Sequence, residues 1–174
     1  LLKEKKVDVA LSAGNTAALV ALSISNIGLI EGIERPAIAI HFPNIFNGNT
    51  IFLDAGANIN AKPIHFLKSA IMGTTYAEVV FGIKNPKVSL LNIGQEETKG
   101  DELRKESFKL LKEEKKINFI GNIEGHDIFS GKSDVVITDG FTGNVVLKTS
   151  EGITRLFKTL LYKNLRKSIM GRVA

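Results

Sequence analysis

The sequence predicts an α/β fold, a three-layer α/β/α architecture around a mostly parallel sheet. Three observations predict it. Short apolar runs rich in β-branched residues recur along the chain, and longer stretches with apolar residues near helical spacing lie between them. Most of the runs are apolar throughout rather than alternating with polar residues, as strands covered on both faces require. Strand and helix signals therefore alternate, the pattern of a layered α/β domain.

The first strand candidate, Val7 to Leu11, leads through Ser12-Ala13-Gly14-Asn15-Thr16 into a helical pattern at 15–27. The second, Ala37 to His41, is followed by Pro43 and Asn44-Ile45-Phe46-Asn47-Gly48, a loop or hairpin signal that suits an antiparallel excursion from the main sheet. Thr50 to Leu53 is the third strand and runs into Asp54-Ala55-Gly56-Ala57-Asn58. Lys62-Pro63 then opens a helical pattern at 63–82, since proline is favoured in a first turn. Lys87 to Ile93 leads through Gly94-Gln95-Glu96-Glu97-Thr98-Lys99-Gly100 into an amphipathic pattern at 101–115, whose early acids favour the positive end of a helix. Ile117 to Ile120 is the fifth strand. Asp134 to Thr138 is the sixth, followed by Asp139-Gly-Phe-Thr-Gly-Asn144 and a helical pattern at 144–169.

The 174 residues, 44% of them hydrophobic, are enough for one substantial core. No low-complexity tract or linker marks a boundary, so a single domain spanning 1–174 is expected. The chain opens at Leu1-Leu2-Lys3 without an initiator methionine and stops at Gly171 to Ala174 just after a helical pattern, so an internal piece of a longer protein is expected. The absence of cysteine excludes a thiol nucleophile and a Cys-type zinc site and fits a reducing compartment. No membrane-spanning run and no signal-peptide pattern occurs, and the expected location is the cytoplasm, with contact at a membrane surface left open. The formal charge of +5 comes from 23 basic residues interspersed with 18 acidic ones. That mixture points to solvated surfaces and to a phosphate-bearing metabolite or an acidic protein as partner, not to nucleic acid, since basic and aromatic residues are not interleaved.

Each β-to-α turn pairs glycine with Asn, Asp, Thr or Lys. In a parallel sheet such turns converge outside the carboxyl ends of the strands, where ligands bind. In the last turn, Gly140 and Gly143 permit tight backbone, Thr142 and Asn144 can cap the helix, and exposed amides can hold an anion. Taken alone, this is also how an ordinary capped turn reads. Lys99, between Thr98 and Gly100, is a mobile cation for a phosphate or an oxyanion. Other motifs fail. Gly125 to Ser133 has five residues between its glycines where a P-loop needs four, and it precedes a strand instead of following one. No G-x-G-x-x-G or G-x-S-x-G occurs, and His41, His65 and His126 are too dispersed for a zinc site. No cofactor and no metal are expected. The final stretch, Leu156 to Met170, mixes large apolar and basic residues, which fits either a core helix with lysines facing water or a lipid- or dimer-facing one.

Six motifs closely resemble the bacterial phosphate acyltransferase family, PlsX. They are Ser12-Ala13-Gly14-Asn15-Thr16; Leu53 to Asn58 with Lys62-Pro63; Ala70-Ile71-Met72-Gly73; Leu90 to Gly94 with Lys99-Gly100; Asn118 to Asn122 with Glu124-Gly125; and Asp139 to Asn144 with Leu147-Lys148-Thr149. They follow the family's order along nearly the whole chain. The resemblance implies transfer of a long-chain acyl group from acyl carrier protein to inorganic phosphate, giving acyl phosphate for phospholipid synthesis. It also implies a fold of the isocitrate-dehydrogenase and phosphate-acetyltransferase type, a homodimer, and peripheral membrane contact through 156–170. Ala17 and Ala55 depart from the family pattern, as do Asp101, where asparagine is usual, and His126, where arginine is common.

Phosphate is already an oxygen nucleophile, so such a reaction needs positioning against the thioester more than a covalent intermediate. On this reading Lys99, Asp139 and Asn144 are the candidate catalytic residues, with Asp139 orienting the lysine or the phosphate proton. Asn15, Thr16, Asp54, Asn58, Lys62, Thr142 and Gly143 are the candidate substrate- and phosphate-binding residues. A phosphate acetyl- or butyryltransferase using coenzyme A, and a non-catalytic phosphometabolite-binding module, are the alternatives.

Overall fold

The structure is a computed structural model describing residues 1–170, with side chains described through Leu165. The elements run α1 (Thr16–Asn26), β1 (Ile40–Pro43), β2 (Asn49–Leu53), α2 (Pro63–Phe81), β3 (Lys87–Leu91), α3 (Glu102–Glu113), β4 (Asn118–Ile123), a short 3₁₀ turn at Gly125–Phe129, β5 (Val135–Ile137) and α4 (Gly140–Met170). The sheet order is β1-β2-β5-β3-β4. Only β1 is antiparallel, joined to β2 by the hairpin anticipated around Asn44 to Gly48, and the remaining pairs are parallel. Asn44 closes that hairpin by accepting from the amides of Phe46 at 3.1 Å and Gly48 at 3.0 Å. Its neighbour Asn47 takes a left-handed φ of 59°, which Asn tolerates better than most residues.

The apolar strands face two cores because successive side chains point to opposite sides of a sheet. Ile51, Leu53, Val88, Leu90, Val135 and Ile137 pack beneath Phe66, Ala70 and Ala77 of α2 and Phe108 and Leu111 of α3. Phe52, Leu91 and Val136 face the other way, against Phe42, Ile128 and, from the first turns of α4, Val146 and Leu147. Helix α2 lies close on the sheet because Gly73 has no side chain. A Cβ there would stand 2.6 Å from Val135 Cγ1 and 3.0 Å from Leu53 Cδ1. The helix begins where His65 Nδ1 accepts from the Lys62 amide at 3.0 Å, and it ends at Gly82 in the left-handed conformation.

The α/β class, the mostly parallel sheet and five of the six strand candidates are borne out. Val7 to Leu11 is the exception. It is irregular, and Val7, Val9 and Leu11 are 40%, 76% and 99% exposed. An apolar run becomes a strand only if a neighbour accepts its ladder, and among the described residues this one has none. Helix α1 buries no residue. The last helix begins at Gly140, four residues before the pattern predicted, and from Glu151 to Leu165 every side chain is exposed. The side chains of 166–170, part of the Leu156 to Met170 stretch, and the whole of Gly171 to Ala174 lie outside the described residues. Among the described residues no helix is long and apolar enough to cross a membrane.

Candidate active site

The three central strands β2, β5 and β3 are parallel neighbours, so the loops that leave their carboxyl ends emerge side by side. The connections at Asp54, at Asp139 and from Asn92 to Asp101 are therefore brought to one end of the sheet. Helices α2 and α3 turn to one face, and the start of α4 turns to the other. Adjacent loops that diverge to opposite faces leave a crevice between them, the place where open α/β sheets bind ligands.

One wall is the loop after β2, organised by the buried Asp54. Its Oδ1 accepts from the amides of Ile38, Gly56 and Ala57 at 3.1, 3.0 and 2.9 Å. Its Oδ2 accepts from the amide and the side-chain Nδ2 of Asn58 at 2.7 and 2.8 Å. Asn58 Nδ2 also donates to the Pro36 carbonyl at 2.7 Å. Both residues, expected as substrate contacts, are instead spent on shaping the loop.

The first turn of α4 lies directly on this loop. The Gly140 amide donates to the Asn58 carbonyl at 2.9 Å, and a Cβ on Gly140 would meet Asn58 backbone at 2.7 to 2.9 Å. At Gly143 a Cβ would stand 1.8 Å from the Asp54 carbonyl oxygen. The two glycines are thus required by the close approach of two backbone segments. This corrects the expected role of Gly143 and of the amides around it. The Thr142 amide donates to Asp139 Oδ1 at 2.9 Å and the Gly143 amide to the Asp139 carbonyl at 2.8 Å, so neither is open to an anion.

Asp139 is the N-cap of α4, a part the sequence reading gave to Thr142 and Asn144. Its Oδ2 accepts from the Thr142 hydroxyl at 2.7 Å and from Arg104 Nη2 on α3. Arg104 Nη2 also donates to Thr142 Oγ1 at 2.9 Å, while Nη1 donates to Asp101 Oδ2 at 2.8 Å. The Arg104 amide donates to Asp101 Oδ1 at 2.9 Å, which makes Asp101 the N-cap of α3. The Arg104 and Asp139 side chains are only 13% and 8% exposed, so this pair is far less screened than a surface ion pair. Burial pushes the Asp139 carboxyl up, but the Thr142 amide and hydroxyl and the Arg104 guanidinium outweigh it and hold the group below the ordinary carboxylate value. A cleft of about 500 Å³ opens here, lined by Asn60, Asp101, Arg104, Asp139, Phe141 and Thr142 among others.

Asp139 therefore faces an arginine; of the two partners expected for it, Lys99 and a proton on phosphate, Lys99 does not reach it. Lys99 is exposed in the preceding loop, where its backbone carbonyl accepts from Asn92 Nδ2 at 3.1 Å and its side-chain stem passes over Gly94. Asn144 is exposed, with its side chain above Gly56, and Lys62 is exposed at the start of α2. Among the described residues, the side-chain nitrogens of Lys99, Lys62 and Asn144 have no hydrogen-bond partner. Asn15 caps α1, accepting from the Ala18 amide at 3.1 Å, and it and Thr16 are exposed on a helix with no buried residue. The structure thus brings Asp54, Asn58, Asp139, Thr142, Gly143 and Asn144 together and does not join Asn15 or Thr16 to them. Among the described residues, no group of three or more His, Asp or Glu is placed to hold a metal ion. The P-loop near-miss folds as the 3₁₀ turn, locked by buried Asp127 against Lys132 Nζ at 2.5 Å.

The sequence pattern of the family described as fatty acid synthesis protein matches residues 1–174. The chain belongs to that family. Phosphate acyltransferase from Fusobacterium nucleatum is 49% identical over 173 residues, covering 99% of this chain and 52% of that protein. Phosphate acyltransferase from Halothermothrix orenii is 48% identical over 175 residues, covering 100% of this chain and 52% of that protein. The chain spans about half the length of these curated relatives. Among solved structures, a phosphotransacetylase from Streptococcus pyogenes superposes with a TM-score of 0.68 at 17% identity, over 88% of this chain and 53% of that one. The EutD phosphotransacetylase from Staphylococcus aureus gives 0.61 at 21% identity, over 83% of this chain and 49% of that one. At such identities the likeness is one of fold, and it bears out the expected α/β architecture.

Proposed function

We propose that this chain forms part of a phosphate acyltransferase that moves a long-chain fatty acyl group from acyl carrier protein to inorganic phosphate. The observation that carries the reading is the crevice at the carboxyl ends of β5 and β3, in a chain 48 to 49% identical to phosphate acyltransferases along nearly its whole length. A phosphate oxygen attacks the thioester carbonyl, the carbon–sulfur bond breaks, and the carrier-protein thiolate leaves and takes up a proton. The product is an acyl phosphate for phospholipid synthesis.

Lys99, Lys62 and Asn144 are open donors at this end of the sheet and are assigned to phosphate and to the developing oxyanion. Asp139 and Thr142 form its floor. Asp139 Oδ1 accepts one amide and keeps a lone pair for a proton on phosphate. The excess of basic residues suits an acidic carrier protein. The exposed apolar residues Leu156, Phe157, Leu160, Leu161 and Leu165 of α4 suit a homodimer contact and a peripheral membrane contact. The test is phosphate-dependent release of carrier-protein thiol by the full-length protein, with acyl phosphate detected. Turnover of coenzyme A thioesters in preference to carrier-protein thioesters would overturn the choice of donor.

A further inference from the structure

The strongest unassigned feature of the crevice is the guanidinium of Arg104, which bridges two helices that follow different strands. Arg104 stands on α3 after β3, and Asp139 and Thr142 on α4 after β5. Its Nη2 donates to both Asp139 and Thr142, and its Nη1 donates to Asp101. The guanidinium is held at both ends, and the Arg104 amide is held by Asp101 as well. Asp101 thus anchors the outer end of this bridge with a carboxylate.

We propose that Arg104 is a positioning residue: anchored by Asp101, it clamps the Asp139 carboxylate to Thr142, so that Asp139 works in the reaction as a fixed, ionised acceptor and not as a base. The inference rests on the proposed acyl transfer and on a part for Asp139 in it. The geometry explains why the clamp has this effect. Asp139 Oδ2 is filled by two donors, one of them cationic, while Oδ1 accepts one amide. A carboxylate held this way can accept one further proton-bearing oxygen in a set direction, but it has little tendency to keep the proton. The charged groups facing Asp139 are Arg104 from α3 and, beyond it, Asp101; from α4 it meets the neutral Thr142. A phosphate that arrives carrying a proton is thereby oriented, and the negative charge stays on the nucleophile.

The experiment compares Arg104→Gln, Arg104→Lys and Asp101→Asn in the full-length protein. Two readouts are taken: the pH profile of kcat/KM for phosphate-dependent thiol release, and titration of the Asp139 carboxyl carbon by NMR after Asp labelling. Arg104→Gln is expected to raise the Asp139 carboxyl titration by about one to three pH units and to move the acidic limb of kcat/KM upward with it. Arg104→Lys, which keeps a cation, is expected to restore most of both, and Asp101→Asn, which keeps the cap acceptor, to shift them by less than about half of the Gln effect. An unmoved Asp139 titration in Arg104→Gln overturns the clamp. A raised titration with an unmoved kcat/KM profile overturns the proposal through the reading it rests on, because Asp139 then has no part in turnover. If Arg104→Gln does not fold, Asp101→Asn decides against Arg104→Lys as the control: an Asp139 titration and acidic limb raised above the control support the clamp, and values equal to the control in both readouts overturn it.

Discussion

Gly143→Ala tests the joint on which the crevice is built. The added Cβ would lie 1.8 Å from the Asp54 carbonyl oxygen and 2.9 Å from its carbon, where ordinary contact begins near 3.4 Å. The obstacle is backbone and cannot rotate away. Relief requires the loop after β2 and the first turn of α4 to separate by more than an ångström. That movement pulls on the Asp54 amide, which donates to the Thr138 carbonyl at 3.1 Å, and on the Thr138 amide, which donates to the Leu53 carbonyl at 2.6 Å. It also strains the Gly140 amide bond to Asn58. Overpacking of this kind costs about 1 to 3 kcal/mol or more, and with an end of the β2–β5 ladder disturbed we expect about 3 kcal/mol. A Gly→Ala gain in the unfolded chain offsets about 0.4 to 1 kcal/mol of it. The full-length protein, about twice the length of this chain as in its relatives, followed by differential scanning fluorimetry should lose roughly 3 to 4 °C in Tm. Gly152→Ala is the control: it sits within α4 with open space where its Cβ would stand, and it should stabilise by about 0.5 to 1 kcal/mol. A Gly143→Ala protein within about 2 °C of the parent would refute the close approach of the two backbones.

Replacing Lys99 or Asp139 by alanine should lower turnover by about 10² or more if each stabilises the transition state, and unchanged turnover in both would remove them from the chemistry. Within α2, Phe66→Ala removes a side chain that is 1% exposed and should cost about 3 to 5 kcal/mol, whereas Val79→Ala at 78% exposure should stay within about 0.5 kcal/mol. Equal effects on Tm would contradict the assignment of the core face. In acid, Asp139 and Asp127 both titrate below the ordinary 3.8 in the folded chain, the latter chiefly through its hydrogen bond from Lys132. A depressed carboxyl contributes stability that is present above its unfolded pKa and lost as pH falls through the folded one, so Tm should fall steeply below about pH 4. His65 adds an earlier step. Its folded pKa lies below 6.5, mainly because of burial, so its contribution is complete above 6.5 and declines as pH falls from there towards the folded value. Asp127→Asn should lower Tm near neutrality and flatten the acid limb, and a parallel downward shift at every pH would exclude the ionised pair as its source.

What the sequence made legible depended on range. The interior strands β2, β3 and β5 were readable because burial on both faces leaves an apolar run, and the hairpin was readable because Asn44 to Gly48 is local turn chemistry. The position of α4's start was not. Gly140 and Gly143 look like turn residues, and only their contact with the Asp54 to Asn58 loop, some 85 residues earlier in the chain, shows that they are helical positions where no side chain fits. Asp54 was found as a site residue for its place after a strand, and its five acceptor contacts give it a different task. In the sequence Arg104 is one charge among many in the amphipathic stretch 101–115. Its role follows from the strand order, which sets β5 beside β3 and brings residue 104 against residue 139. The Asp101-x-x-Arg104 spacing was the one local hint, since it allows a cap and an ion pair from the same side chain.

The central claim is that the crevice at Asp139 joins an acyl thioester to phosphate. The most direct measurement supplies the full-length protein with long-chain acyl carrier protein, with and without inorganic phosphate, and follows free thiol and acyl phosphate together. The account predicts equal amounts of both products, appearing only with phosphate and falling by about 10² in Asp139→Ala. Thiol released without phosphate, or phosphate bound with no acyl phosphate formed, would contradict it.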